Sequence, residues 1–405
     1  MTDASTLHDA AVIGGGPAGL AAAIALAQAG ARTALVARRM PYADNRTTAL
    51  LGASIDLLES LDVWPRCKGK AAALEIMRLV DDTGRLFRAP EVRFSCHEIA
   101  LDAFGYNIDN RSLMLAMEER AAELPNLVRC DDEAESVVIE ADDVAVRTAS
   151  AQFLSARLVV GADGRHSLCR AAAGIESDGH GYPQIALTFN VGHARPHRNV
   201  STEFHTPHGP CVFVPLPGDR SSIVWVSAPA EAERLRGLSD AELSAAIEKQ
   251  SHSILGRMTV EPGRNLFPLA IERPKSFGRD RIALVGEAAH LVPPIGAQGL
   301  NLGVRDVQDL VAVVRENRAD PGGERVLARY DSRRRPDILL RSGAVDLLNR
   351  SLLSAAFPAQ LARTAALSVL ANAGPVRALF MREGMRPGSG LRALFSGVGR
   401  EGLRR

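Results

Sequence analysis

Three glycine-rich segments of this chain combine backbone freedom with a few charged side chains, the chemistry of a phosphorylated ligand site. The first is Gly14-Gly15-Gly16-Pro17-Ala18-Gly19, a GxGxxG stretch. In such a stretch Gly14 permits a tight turn, Gly16 lets the backbone approach a pyrophosphate, and Gly19 allows close helix–strand packing. The phosphate charge then meets free N–H groups and the positive end of the helix that Pro17 and Ala18 open. The second segment is Gly161-Ala162-Asp163-Gly164-Arg165-His166-Ser167, with Arg170 three residues on. Alone, its Asp-Gly reads as a turn. The third is Gly286-Glu287-Ala288-Ala289-His290, followed by Pro293 to Gly303. A carboxylate at Glu287, just after a buried strand, can hold a ligand hydroxyl. The turn Gly296 to Gly299 opens a helix whose N–H groups can face a developing negative charge.

One partner of the first segment is missing. Dinucleotide folds place an acidic residue near the end of the second strand, where it binds a ribose hydroxyl. Here that position falls at Val36-Ala37-Arg38, without a carboxylate. Arg38, Arg39 or a backbone group is left to meet the adenosine end, which favours a flavin over a nicotinamide nucleotide.

The elements that must position these residues follow from apolar patterning. Ala10 to Ile13 reads as a buried strand, Pro17 to Ala29 as a helix stopped by Gly30, and Arg32 to Ala37 as a second strand. That order is a βαβ unit with a parallel sheet. Ala49 to Leu61 reads as helix, and Leu74 to Phe94 as a hairpin turning at Asp82-Thr83-Gly84. Arg111 to Leu124 is helical, and β-rich runs follow at Ser136–Glu140, Val144–Thr148 and Phe153–Val160. Ile185–Val191, Ser201–His205, Cys211–Pro215 and Ile223–Ser227 predict a second sheet. Arg281 to Val285 returns to a buried strand, Gly299 to Arg315 is a helix, and the chain from Tyr330 onward is helical.

Composition excludes several classes. Of the 405 residues 46% are hydrophobic and 23% charged, as in an ordinary globular protein. A formal net charge of +1 gives no field to draw nucleic acid. The five cysteines are scattered without a CxxC, so they read as free thiols, with no metal site and no disulfide framework. The polar N-terminus lacks the features of a secretory signal, and the apolar stretch from Ala10 is broken by glycines and proline, so a cytoplasmic location is expected.

Together GGGPAG, GADGRHS and GEAAHLVPPIGAQGLNLGVRD resemble the class A FAD-dependent monooxygenases built like para-hydroxybenzoate hydroxylase. Pro293 to Asp306 resembles the signature of the ubiquinone-biosynthesis hydroxylases, and Arg46 to Leu50 and Asn110 to Leu113 match two further short patterns of the family. The resemblance spans roughly residues 8 to 385. It implies an α/β fold: a Rossmann-like FAD-binding domain with an inserted mixed β-sheet substrate domain and a helical C-terminal region. The expected boundaries are 1–75 with 100–180 and 275–330 for FAD, 76–99 with 181–274 for substrate, and 331–405 for the helices.

The same resemblance places Gly14, Gly16, Pro17, Ala18 and Gly19 at the FAD pyrophosphate, with Arg38, Arg46, Arg111 and Asp163 at that end of the cofactor. Glu287 would hold the ribityl chain, although aspartate is commoner there. Pro294, Gly296, Gln298, Gly299, Leu300 and Asn301 would line the isoalloxazine, with Pro294, Gly296 and Gln298 on the reacting face. The implied reaction passes one hydroxyl from a flavin hydroperoxide to an electron-rich ring, so no nucleophile–base pair is required. NAD(P)H or an electron-transfer protein would supply electrons. His290 reads as a packing or hydrogen-bonding residue before a base, and no phenol base stands out among His193, His197, His205 and His208.

A prenylated aromatic substrate leads the possible readings. The same fold acting on a soluble aromatic, and a flavin-binding structural subunit of a biosynthetic complex, are the alternatives. The last 55 residues carry eight arginines against two glutamates among apolar runs. They read either as a peripheral contact with an anionic inner membrane or as a solvated face packed on the domain or a partner. Pro387, Gly388 and Gly390 prevent one amphipathic helix from running through them.

Overall fold

The computed structural model describes residues 7–39, 42, 45–84, 88–294, 296–353 and 357–385. Ile295, the apolar run Leu391 to Phe395, and Pro387, Gly388 and Gly390 lie outside them. Leu7–Ile13 forms the centre of an eight-stranded sheet, because its run of apolar residues can be buried on both faces only between two neighbours. Phe153–Gly161 lies parallel on one side and Thr33–Val36 on the other. Ile282–Leu284 continues the parallel set beyond Phe153–Gly161, and Leu127–Cys130 continues it beyond Thr33–Val36. An antiparallel hairpin, Ala134–Ile139 with Val144–Thr148, hangs on Phe153–Gly161.

Pro17–Gln28 follows the first strand and is buried from Gly19 to Ala27. A helix this apolar all round belongs inside, and Gln298–Glu316 packs beside it in the same core. A second eight-stranded sheet is mixed. It runs from Met258–Val260 through Ser177–His193, Arg220–Ser227, Gly209–Leu216, Val200–Thr206 and Ile76–Asp81 to Val92–Ser95, with Asn265–Pro274 also paired to Ser177–His193. Only the pairing of Val200–Thr206 with Ile76–Asp81 is parallel along that path. One face carries Leu187, Phe189, Phe204, Phe213 and Ile223, closed by Leu235, Leu243 and Ile247 of the helices Pro229–Arg236 and Asp240–Gln250.

Two local expectations are corrected. Ala49 to Leu51 is strand, not helix: Thr47–Leu51 pairs with Gly105–Asp109, and Ala71–Leu74 completes a three-stranded sheet. The helix begins only at Gly52. The β-branched Thr47 and Thr48 start a strand, and the pairing carries it through Leu51. Leu74 therefore belongs to that small sheet, and the hairpin consists of Ile76–Asp81 with Val92–Ser95.

Glu324–Leu353, Phe357–Asn372 and Gly374–Met385 form the C-terminal helices. Met381 and Met385 pack with Leu51, Val92, Phe94 and Phe104 in a separate apolar cluster. Among the described residues no single helix is long and apolar enough to cross a membrane.

A buried ion network fastens these helices to the nucleotide-side core. The Asp306 carboxylate is fully buried; it accepts from Gly286 N at 3.0 Å and from Arg334 Nε at 2.7 Å, and His290 Nε2 lies 2.7 Å away. Arg334 also reaches Asp309 and Asp337. Burial opposes ionisation of Asp306, yet the His290 and Arg334 charges hold its pKa below the ordinary 3.8. Asp306→Ala should lower unfolding free energy by about 3 to 5 kcal/mol in urea titration, because Gly286 N, His290 Nε2 and Arg334 Nε lose their buried acceptor together. A depressed carboxylate pKa contributes stability at neutral pH that fades as pH falls below 3.8. The stability of Asp306→Asn should accordingly fall less steeply than wild type across that acidic range.

Candidate functional site

The three glycine-rich segments stand at the carboxyl ends of three adjacent parallel strands. Ile13 lies opposite Gly161, and Gly161 opposite Leu284. Ala162 N donates to Ile13 O at 2.8 Å and Val285 N to Gly161 O at 2.9 Å. This is the edge at which open α/β sheets bind ligands.

The glycines differ in what they do there. Gly14 has φ +111°, and a Cβ on it would overlap the Ala162 carbonyl. A Cβ on Gly19 would overlap the Gly14 carbonyl, so these two are required by packing. Gly16 is different: a Cβ there would meet nothing within 4 Å and would point into open space. It is also the N-cap of Pro17–Gln28 and provides no side-chain cap, leaving the helix N–H groups for an anion. Third-segment Gly286 lies against Ala18, with 2.9 Å between Ala18 Cβ and a Cβ built on Gly286.

A cleft of about 810 Å³ opens over this edge. Gly14, Gly16, Pro17, Arg38, Arg46, Arg111 and Asp163 all line it, so seven of the expected positions converge on one space. Arg46 also lies 5.9 Å from the centre of the Phe267 ring, which reaches it from the second sheet. Asp163 accepts from Ser167 Oγ at 2.6 Å and from Cys169 N at 3.0 Å, fixing the second turn. Volume, an uncapped helix terminus and flanking arginines together fit the diphosphate of FAD.

The remaining expected residues lie elsewhere. Ala18 and Gly19 pack behind the cleft, and Glu287 sits exposed on the short turn Gly286–Ala288. Pro294, Gly296 and Gly299 are exposed along the turn into Gln298–Glu316, and Leu300 is half-buried against the core. Gly296 has φ +64° and Ala297 is left-handed at φ +55°, so the helix opens without a side-chain cap. Gln298 is not free to reach far: Nε2 donates to Gly296 O at 2.8 Å and Oε1 accepts from Arg341 at 3.2 Å.

Asn301 is buried, and its amide is spent within the protein. Oδ1 accepts from Leu51 N and Ser54 Oγ, while Nδ2 donates to Ala49 O and Ala297 O. With two lone pairs and two N–H groups used, its side chain shapes the turn and offers nothing to a ligand. His290 is buried with Nε2 held on Asp306, while its buried Nδ1 has no hydrogen-bond partner among the described residues. Among the other histidines, His193 lies within 3.1 Å of Arg195 O and Ser221 Oγ, and burial depresses its pKa.

Asp132 and Glu133 line the cleft beside Arg38, and sequence reading missed both. They follow Leu127–Cys130, the strand next to Thr33–Val36, while the expected carboxylate belonged to Thr33–Val36 itself. The run Asp131-Asp132-Glu133 after an apolar strand was the available signal.

Comparison with known proteins agrees with this geometry. Residues 8–338 match the FAD binding domain family, and the chain belongs to it. It is 33% identical over 94% of its length to ubiquinone hydroxylase UbiL of Rhodospirillum rubrum, covering 90% of that protein. The 3-demethoxyubiquinol 3-hydroxylase of Escherichia coli is 30% identical, with 93% of this chain and 97% of that protein aligned. Among solved structures, p-nitrophenol 4-monooxygenase of Pseudomonas putida shares the fold at TM-score 0.76 and 22% identity, covering 95% of this chain and 98% of that one. The chain is an FAD-dependent monooxygenase homologous to the ubiquinone-biosynthesis hydroxylases.

The two kinds of glycine should separate by experiment. Gly16→Val should keep the melting temperature of deflavinated wild type by circular dichroism yet purify without the flavin absorbance bands. Gly19→Val should melt lower even with excess FAD, since backbone must move to admit its side chain. Stoichiometric flavin in Gly16→Val would remove this glycine from the binding site.

Proposed function

We propose that this member of the FAD-binding family hydroxylates the ring of a polyprenylated phenol in ubiquinone biosynthesis. The observation that carries this reading is the length of the match: relatives named for ubiquinone hydroxylation align with nearly the whole chain, second sheet included. In this reading the Rossmann-like sheet binds FAD and the large mixed sheet forms the substrate domain. Gly14, Gly16 and the first turn of Pro17–Gln28 hold the pyrophosphate, with Arg46 and Arg111 neutralising its charge. Glu287 takes the ribityl hydroxyls, and Pro294, Gly296 and Gly299 leave an open approach for the flavin ring. Bound FAD, reduced by NAD(P)H or an electron-transfer protein, supplies the oxygen-transfer chemistry.

The chain's own part is to hold the ring, exclude water and stabilise charge. Gln298–Glu316 directs its uncapped N-terminus toward the turn, where its N–H groups favour negative charge. Arg341 steadies that turn through Gln298, and Asn301 steadies it through Ala297 O.

A peripheral membrane contact through the C-terminal helices completes the proposal. Leu340 and Leu347 on Glu324–Leu353, Leu361 on Phe357–Asn372 and Phe380 on Gly374–Met385 are exposed, and Arg350, three residues after Leu347, is exposed and paired with Asp346. Exposed apolar side chains with an arginine nearby on the same helix suit anionic lipid, and a lipid contact would admit a prenylated substrate.

Two measurements test these statements. Purified protein with NADPH, or with a reduced electron-transfer protein, should show oxygen uptake stimulated by a prenylated phenol. Faster coupled turnover on a soluble phenol would reject the substrate class. Leu340→Asp/Leu347→Asp should lose co-sedimentation with anionic vesicles while retaining FAD; unchanged sedimentation would reject the membrane contact.

A further inference from the structure

We infer that Glu133 binds the ribose hydroxyls of the FAD adenosine, in place of the acidic residue that the second strand lacks. The inference rests on the FAD reading above and assigns one contact within it. The strand Thr33–Val36 pairs in parallel with Leu127–Cys130, Val36 lying opposite Cys130. Ala37 N continues the ladder by donating to Cys130 O at 3.1 Å. The residues that follow the two strands, Arg38 and Asp131 to Glu133, therefore emerge side by side at the cleft end of the sheet.

Their charges are exchanged relative to the usual arrangement. The strand that should end in a carboxylate ends in Arg38 and Arg39, while its neighbour ends in three carboxylates. Ion pairs across the gap record the exchange: Arg38 with Glu133 at 3.0 Å and Arg39 with Asp131 at 3.2 Å.

Only one of the three acids suits a ligand. Asp131 does not line the cleft and is shared by Arg39 and Arg129, the latter at 2.5 Å. Asp132 lines it, but its oxygens accept from Ser150 N at 2.9 Å, Ser150 Oγ at 2.6 Å and Glu133 N at 2.8 Å. Those bonds, the Ser150 hydroxyl first, hold its pKa far below the ordinary carboxylate value. Glu133 lines the cleft too, and its carboxylate meets Arg38 alone among the described residues. Its side chain is 65% exposed, so oxygen lone pairs face the cleft's solvent. A carboxylate so placed can accept from both hydroxyls of a cis-diol. Arg38 steers the carboxylate without contributing an acceptor of its own, since a guanidinium only donates.

The test is recognition of the diol, because removing a negative charge near a diphosphate strengthens binding of any anion and obscures simple affinity. Deflavinated full-length protein would be titrated calorimetrically with ADP and with 2′,3′-dideoxy-ADP. Wild type should prefer ADP by about tenfold or more, the scale of a charge-assisted hydrogen bond. Glu133→Ala should bind the two nucleotides equally, whereas Asp131→Ala, altered outside the cleft, should keep the preference. Retention of the preference by Glu133→Ala, or its loss in Asp131→Ala, would overturn the assignment. A wild type indifferent to the diol would overturn it as well. Failure of the FAD reading looks different: wild type would bind neither FAD nor ADP.

Discussion

At the junction of Gly14, Gly19 and Ala162, three backbones approach so closely that neither glycine position has room for a side chain. The first turn, the helix after it and the second glycine-rich turn are thereby fixed against one another. Gly286 and Gly303 extend the same close packing to Ala18 from the other side. The helix N-terminus consequently meets its ligand from one orientation, and the turn before Gln298–Glu316 is carried to a fixed place beside it. Glycine at 14 and 19 is required by the neighbouring main chain, and at 14 by its φ of +111° as well.

A second layer holds that junction from behind. Asp306 fastens Gly286 N, His290 and Arg334 in one buried cluster, and Arg334 passes the contact to Asp309 and Asp337. Arg305, next in sequence to Asp306, pairs with Asp337 and donates to Met385 O at 3.2 Å. The residues of the Val304-Arg305-Asp306 stretch thus do their work away from the ligand. They tie Gly374–Met385 to the third glycine-rich segment, and a charge cluster this buried has a defined geometry.

The parallel strands and their glycine turns were legible in the sequence because strands buried on both faces read as unbroken apolar runs. Arg46 and Arg111 were legible through two short patterns of the resembled family and Asp163 through the second glycine-rich segment, and the cleft gathers all three. Asn301 was legible as a residue of the turn, while its task was hidden. Its partners Ala49, Leu51 and Ser54 are more than two hundred positions upstream, and nothing local announces them. The strand at Thr47–Leu51 was masked for the same reason: its pairing partner Gly105–Asp109 is remote, while the helix after it begins at Gly52. Glu133 escaped notice because the acidic residue was sought on the strand of its usual place, and adjacency between Thr33–Val36 and Leu127–Cys130 exists only in the folded sheet.

The cluster of Met381 and Met385 with Val92, Phe94 and Phe104 has a consequence for how the chain is made. Leu51, Cys96, Ile99 and Phe104 of this cluster are made early, but Met381 and Met385 join it only after nearly three hundred further residues are synthesised. Closing it demands a contact of very long sequence separation, whose loop entropy must be met before the contact is rewarded. During translation this cluster is completed only when Gly374–Met385 has been made.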